Sequence, residues 1–488
     1  MKSTTVALLA VPSLFVSHAE AQRAFEVSED GRQTVTLQPG ASDDGGIAGG
    51  GAGHPFGTAP DWFNDLRRPV AGLQIVDMNG DGHNDLVVGC FFSSGCCPAY
   101  TDWRNLIYYN TGTALEGQPS WISTDQVHTN DVQVGDINGD GFLDIFSANG
   151  GFQHSPSVIY FGSATGPSTS PGWSSVVSPS TWATSAALAD FDHDGDLDVV
   201  TTNQSGITGD NFRPIYIYYN NGGTLAQTPV ALGTEQSIQS DCAFGDYDND
   251  GWEDLAVSKW TNGFQSGIYR NINGVIQPTQ IWTRGVSETD KGVTWGDVDG
   301  NGWLDLVIGA NDPSGAPVTG SRLFSNTAGV LAQTWASQPP FESHSEQAFA
   351  DLDGDGDLDF AEVHFGDGRA HVYLNDNGVL STTPSWTYDA TTVANALAFG
   401  DLNGDKIPDL AVGYSGDISI RVFYGIPPAC VADLDGSGSV DVNDLLAVVT
   451  NWGACTTPPP NCPGDVDDSG SVDVNDLLAV ITTWGDCP

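Results

Sequence analysis

Seven nine-residue stretches of this chain set side-chain oxygens at positions 1, 3, 5 and 9. They hold Asp77, Asn79, Asp81 and Asp85; Asp136, Asn138, Asp140 and Asp144; Asp190, Asp192, Asp194 and Asp198; Asp246, Asp248, Asp250 and Asp254; Asp297, Asp299, Asn301 and Asp305; Asp351, Asp353, Asp355 and Asp359; and Asp401, Asn403, Asp405 and Asp409. A hard cation such as Ca2+ takes six to eight oxygens at about 2.3 to 2.6 Å, and this spacing, with a main-chain carbonyl at position 7, is that of a calcium loop. At position 6 the chain turns sharply, and glycine enters positive φ there without penalty. Six copies have glycine at that place. The seventh has Lys406, which tolerates the turn less well and brings a positive charge near the ion, so the seventh loop is expected to be the weakest. Asp, Asn and Gly also make ordinary turns, but seven copies in one register predict calcium as the cofactor.

Such loops need rigid elements to hold them. A short apolar stretch precedes each loop (132–134, 186–189, 396–399) and an apolar run follows it, such as Leu86-Val87-Val88 or Leu306-Val307-Ile308. A third stretch is aromatic and β-branched (106–109, 158–161, 215–219, 371–374, 421–424), and a fourth often carries tryptophan: Trp121, Trp173, Trp282, Trp335 and Trp386. The loops recur every 50 to 59 residues. Four strands in a period of that length predict an all-β seven-bladed β-propeller. Trp62 stands as far before Asp77 as Trp121 does before Asp136, yet no blade precedes it, while the last period stops after its third strand. The Trp62 strand is therefore expected to complete the seventh blade and remove an open sheet edge. Over residues 58–426 the repeats resemble the FG-GAP or VCBS repeats of integrin α-subunit propellers and of many secreted bacterial proteins. The Phe-Gly before the loop is kept as Phe244-Gly245-Asp246 and Phe399-Gly400-Asp401. Proteins of many functions share such a propeller.

After Pro427-Pro428 the spacing changes to two twelve-position loops. Their oxygens come from Asp433, Asp435, Ser437, Asp441 and Asp444, and from Asp465, Asp467, Ser469, Asp473 and Asp476; Gly438 and Gly470 hold position 6, and short helices are expected over 445–452 and 477–484. Two such units, 32 residues apart and with Asp at position 12, resemble a type I dockerin over residues 427–488. The resemblance implies a small α-helical calcium-binding attachment domain and a cohesin-like partner. Cellulosomal dockerins typically offer hydroxyl residues at loop positions 10 and 11 and basic residues on the helix; here stand Val442-Asn443 and Val474-Asn475, and neither helix has Lys or Arg. This points away from a conventional cellulosomal cohesin and leaves open a different cohesin-like partner, a surface-sorting role or a calcium-stabilised tail.

Cys430, Cys455, Cys462 and Cys487 bracket the two units and allow three pairings. A helix of eight or so residues is about 12 Å long and a disulfide needs Cα atoms within about 7 Å, which favours Cys430 with Cys487 and Cys455 with Cys462; a zinc site is the rival reading. Cys90, Cys96 and Cys97 share a loop and could pair locally, and Cys242 reads as a free buried thiol.

The 488 residues carry 15 Lys+Arg against 62 Asp+Glu, a net charge of −47. Such a chain repels nucleic acid and anionic membranes, and bound calcium would neutralise much of the excess. Lys2, the apolar stretch 6–16 and Ala19-Glu20-Ala21 read as a secretory signal peptide over residues 1–21. No segment is long enough to span a bilayer, so the protein is expected to be secreted, extracellular or at the cell surface, where calcium is plentiful and disulfides persist. Residues 22–57 read as a lead-in strand pair followed by a Gly-rich loop.

The nine histidines form no HExxH-type pattern, and His83 and His193 sit inside loops as filler. The integrin resemblance puts the calcium loops on one face. Toward the other it places Trp103, Arg104, His128, Asp131, His154, Trp182, Asp241, Trp260, Asn262, Phe264, Asp290, Lys291, His344 and His364. Aromatic rings with convergent polar groups suit sugars, so Trp103, His128, His154, Trp260, His344 and His364 are the candidate ligand-binding residues; no catalytic residue is assigned. The expected function is an extracellular binding or adhesion module for a glycan or protein. The alternatives are a structural surface component, or a polysaccharide lyase, which needs a cation and a base from Arg67, Arg68, Arg104 or Lys291 with His128 or His344.

Overall fold

The computed structural model describes residues 55–64, 68–91, 102–151, 155–176, 182–204, 213–260, 264–285, 289–310, 320–338, 344–365, 368–390, 392–415, 419–426, 432, 434, 439–455, 464–466, 471–482 and 484–486, with backbone alone at 23–27, 33–37, 234–236, 344, 482 and 485–486. Seven four-stranded antiparallel sheets form seven blades. The first contains Val70–Val76, Asp85–Cys90, Leu106–Tyr108 and Trp121–Ile122, from the inside of the ring outward. The next five repeat this order. The seventh takes Ala394–Gly400, Asp409–Tyr414 and Ile420–Phe423 from the end of the ring and Trp62–Asn64 from its beginning, with Trp62 opposite Val422 and Asn64 opposite Ile420. The Trp62 ring meets Tyr108 of blade 1 edge-on at 5.1 Å, which closes the circle. Phe56 packs on Trp386 and Phe399, so propeller packing already begins ahead of residue 58. The lead-in strands Arg23–Val27 and Gln33–Leu37 pair with each other.

Apolar side chains fill the gaps between blades. Between blades 3 and 4, for example, Phe191, Val200 and Ile217 meet Phe244, Leu255 and Val257. The outer tryptophans reach one blade further. Trp121, Trp173 and Trp335 contact Tyr160, Tyr218 and Tyr373 edge-on at 5.3, 5.7 and 5.3 Å. Their indole N–H groups donate to the carbonyls of Pro167, Leu225 and Ser381.

The innermost strands are longer than their apolar stretches predict; that of blade 2 is Thr129–Gly135 rather than 132–134. Each has a register shift at the same place, as between Thr129 and Asp131 or between Ala394 and Ala396. The bulge turns a polar side chain onto the next blade: Asn130, Thr184, Ser240 and Asn395 donate to the carbonyls of Ala183, Gln239, Asp290 and Val70 at 2.6 to 3.1 Å. Buried polar residues are thereby satisfied, and Asn395 to Val70 again joins the last blade to the first. Gly72 allows the closest approach, since a Cβ there would lie 2.8 Å from the nitrogen of Val132.

Two short helices follow the ring, α1 (Val442–Thr450) and α2 (Val474–Thr482). Ser439–Val440 pairs with Gly485–Asp486 and Gly453–Ala454 with Ser471–Val472, so each unit lends a strand to the other around Val440, Val448, Val472 and Val480. No helix among the described residues is long and apolar enough to cross a membrane. Cys455 is disulfide-bonded; Cys430, Cys462 and Cys487 lie outside the described residues. Cys242 is a buried thiol outside any disulfide, as expected, with its sulfur 3.7 Å from Ser185 Oγ. Cys90 is free and buried, not locally paired, because its strand turns it into the core between blades 7 and 1; Cys96 and Cys97 lie outside the described residues.

Candidate metal centres

The loop between the first two strands has one geometry in all seven blades. The position-1 aspartate accepts the N–H of position 6: Gly82 to Asp77, Gly141 to Asp136, Gly195 to Asp190, Gly251 to Asp246, Gly302 to Asp297 and Gly356 to Asp351, all at 2.7 to 3.1 Å. The seventh loop does the same despite its lysine. Lys406 takes φ +69 and donates to Asp401 at 2.8 Å, so the left-handed turn is made at a steric cost rather than abandoned. One oxygen of position 5 accepts the N–H of position 7, as at Asp81, Asp250 and Asp355. These bonds aim the side chains inward. Ligand atoms lie within 4.8 Å of one another in Asp190, Asp192 and Asp194; in Asp246, Asp248 and Asp250; in Asp297, Asp299 and Asp305; and in Asp351, Asp353 and Asp355.

The position-9 aspartates (Asp85, Asp144, Asp198, Asp254, Asp305, Asp359 and Asp409) are at most 1 % exposed. One oxygen accepts the N–H at the end of the third strand, from Asn110, Gly162, Asn220, Asn271, Asn326, Asn375 or Gly425. In five blades the other accepts the N–H of position 2, from Met78, Ile137, Val298, Leu352 or Leu402. Burial pushes Asp85, Asp305 and Asp409 up to about 7 and Asp198, Asp254 and Asp359 up to about 8, with repulsion from the other loop acids adding to it. A bound cation reverses that balance. In blades 3 and 4, Asp190 Oδ1, Asp198 Oδ2, Asp248 Oδ1 and Asp254 Oδ2 are buried with no hydrogen-bond partner among the described residues. These donor sets fit a hard divalent ion.

The five asparagines at the strand ends were not singled out by sequence. Their side-chain amides donate to the position-2 carbonyl of the preceding blade: Asn110 to Leu402, Asn220 to Ile137, Asn271 to Phe191, Asn326 to Tyr247 and Asn375 to Val298, at 2.6 to 2.8 Å. Each of these latches fastens one blade's loop to the blade after it.

The opposite ends of the innermost strands lie roughly 20 Å away, at about 3.3 Å per residue. His128 is 1 % exposed, with its ring 5.6 Å from both Phe91 and Trp182. Burial lowers its pKa to about 4, although Asn130 Oδ1 accepts a hydrogen bond from the ring Nε2. Lys291, also 1 % exposed, has its ammonium 4.7 Å from the Phe365 ring and 6.0 Å from that of Trp260, and burial lowers it to about 7. The structure thus groups His128 with Trp182, and Trp260 with Lys291. Trp103 packs, half-buried, on the cluster between blades 7 and 1. His364 is fully buried, 4.8 Å from His371 and 3.4 Å from Glu362, within blade 6. His154 and the His344 side chain lie outside the described residues. Of the groups considered for elimination chemistry, Arg68 and Arg104 both pair with Asp102, at 2.5 and 2.8 Å, and Arg67 lies outside the described residues.

In the C-terminal units Asp444 accepts the N–H groups of Leu434 and Asp441, and Asp476 those of Val466 and Asp473, at 2.6 to 2.8 Å. Asp441 and Asp473 cap the helices through Asn443 and Asn475. Asp433, Asp435, Ser437, Asp467 and Ser469 lie outside the described residues, while Asp465 is buried. Along α1 and just beyond it, Val442, Leu446, Val449 and Trp452 are more than half exposed, as are Val474, Leu478, Ile481 and Trp484 along and beyond α2.

A model of the FG-GAP-like repeat matches residues 77–147, 136–201 and 348–412, segments that run from loop to loop. Those segments are FG-GAP-like repeats. Blades outside those segments share the loop geometry of the matched ones. No curated protein matches the sequence. Two solved structures resemble the propeller: crystal structures of BBS1N in complex with ARL6DN, soaked with mercury and with lead. They are 13 % and 12 % identical, each with a TM-score of 0.50, and cover 76 % of this chain and 97 % and 98 % of their own. At that identity the likeness is one of fold.

Proposed function

We propose that this chain is a secreted, calcium-loaded FG-GAP-like propeller that acts as an extracellular binding or adhesion module for a glycan or protein ligand. The observation that carries the calcium reading is the set of inward-turned loop oxygens, with four buried ones left unpartnered in blades 3 and 4. The side chains at positions 1, 3, 5 and 9 would hold one ion per loop, and the ion would supply charge neutralisation and rigidity rather than reaction chemistry. Secretion is supported by the N-terminal pattern of Lys2, an apolar stretch and Ala19-Glu20-Ala21. A ligand site is supported by the half-buried Trp103, Trp260 and Phe365 toward the side opposite the loops, whereas His128, Trp182 and His364 are enclosed in the packing.

The C-terminal units are read as a dockerin-like attachment domain. Their duplicated aspartate bonding and the reciprocal strand exchange support this, and the apolar rows of α1 and α2 suit a partner that is bound chiefly by apolar contact. A glycan array probed with the full chain, with calcium and with excess EDTA, tests the module. Calcium-dependent retention on one sugar class supports a lectin-like role. No retention from folded, calcium-loaded protein removes the glycan arm and leaves a protein ligand.

A further inference from the structure

Loop 4 is met by a cation from outside its own nine residues, at the ligand oxygens themselves. Arg270, in the third strand of the same blade, turns its side chain onto the loop and brings Nη2 2.6 Å from Asp248 Oδ2 and 2.8 Å from Asp250 Oδ2. One guanidinium nitrogen thus bridges positions 3 and 5. The third-strand residue at the corresponding place in the other blades is Tyr109, Phe161, Tyr219, Ser325, Leu374 or Tyr424, none of them a cation. Arg270 does not fill the centre of the loop. Asp248 Oδ1 and Asp254 Oδ2 remain buried without a hydrogen-bond partner among the described residues, and Asp254 is 1 % exposed. The guanidinium binds the outer oxygens and leaves inner ones for an ion.

Resting on the calcium reading above, we infer that Arg270 is a built-in partial substitute for calcium in loop 4. It holds that loop folded when the ion is absent and makes it the weakest of the four-aspartate sites. Loops 3 and 6 also carry four aspartates, but Tyr219 and Leu374 stand where Arg270 does and offer no guanidinium; in loop 3 the His193 imidazole only eases the charge at Asp190. A fixed positive charge a few ångströms from the ion opposes binding by Coulomb repulsion, while two charge-assisted bonds stabilise the vacant loop. The consequence reaches blade 5, because Asn326 donates to the carbonyl of Tyr247 at position 2 of loop 4. The joint between blades 4 and 5 should persist through calcium loss while others loosen. The loop with the foreign charge at position 6 is the seventh, yet Lys406 only supplies the turn; the cation that contacts ligand oxygens is in blade 4.

The test compares the full chain with R270Q, and with R270K, which keeps the charge but loses the planar fork. Calcium uptake is followed by titration calorimetry, and hydrogen exchange is measured in calcium and in EDTA. In the wild type, peptides covering 246–254 should stay protected in EDTA while those covering 190–198 and 351–359 lose protection. In R270Q, loop 4 should lose protection as well, and its calcium affinity should rise about tenfold or more; R270K should be intermediate. Calcium uptake with an isotherm and exchange pattern unchanged by R270Q overturns the role of Arg270 alone. No uptake by the wild type overturns the calcium reading and this inference with it.

Discussion

At the scale of single residues, each loop divides its aspartates between two tasks. Asp359 accepts the N–H groups of Asn375 and Leu352 at 2.7 and 2.8 Å and is fully buried, whereas Asp353 bonds one N–H weakly at 3.3 Å. D359A would strand two buried donors and should lower stability by about 3 kcal/mol in EDTA, and by more in calcium, where the position-9 ligand is lost as well. D353A should lower it only in calcium; urea unfolding under both conditions separates the two. His128 gives a pH signature. Its folded pKa of about 4 lies below the ordinary 6.5, so the unfolded chain takes the proton first. The stability it permits is complete above pH 6.5 and is lost as pH falls toward 4, by an amount on the order of 3 kcal/mol. H128F should flatten that part of the stability profile, measured by urea unfolding between pH 7 and 4.5.

At the scale of elements, the joints between blades rest on the strand-end asparagines as well as on the packed strands. Asn375 donates to Val298 O at 2.8 Å and to Leu358 O at 3.1 Å, so N375A leaves one buried and one half-buried carbonyl short of a donor. The expected loss is about 2 kcal/mol, with faster hydrogen exchange in loop 5, whose carbonyl it holds. Blades 2 and 7 have Gly162 and Gly425 at this place and keep only the main-chain bond to the position-9 aspartate. At blade 7 the joint is reinforced by Phe56 against Trp386 and by the Trp386 indole donating to Gly57.

At the scale of the whole molecule, closure depends on three residues from the start of the ring. A chain beginning at residue 66 lacks Trp62–Asn64 and leaves the edge of Ile420–Phe423 unpaired. Exposed edges recruit other chains, so this variant should elute as oligomers in size-exclusion chromatography with light scattering, whereas the full chain should not form them through this edge. The net charge of −47 sets the second property. Removal of calcium should lower the melting temperature, because an ion bound only to the folded state adds to its stability. Raising the salt to 1 M in EDTA should recover part of the loss, since the screening length falls to about 3 Å; scanning calorimetry measures both.

The loops, the blade count and the closing strand were legible in the amino-acid sequence because each is a local spacing: oxygens within nine residues, a period of fifty-odd residues, a tryptophan at a fixed distance from a loop. The asparagine latches were not. Their distance from the loop aspartate runs from 24 residues at Asn375 to 33 at Asn110 as the intervening hairpin varies in length, and the acceptor of Asn110 is 292 residues away. Nor did sequence reveal that His128 and His364 lie in the packing, or that Arg270 bends onto loop 4. Local pattern determined which residues could meet an ion. Which side chains are enclosed, and which carbonyl or carboxylate each donor finds, was decided only when neighbouring blades came together, because burial and partner choice depend on residues far away in the chain.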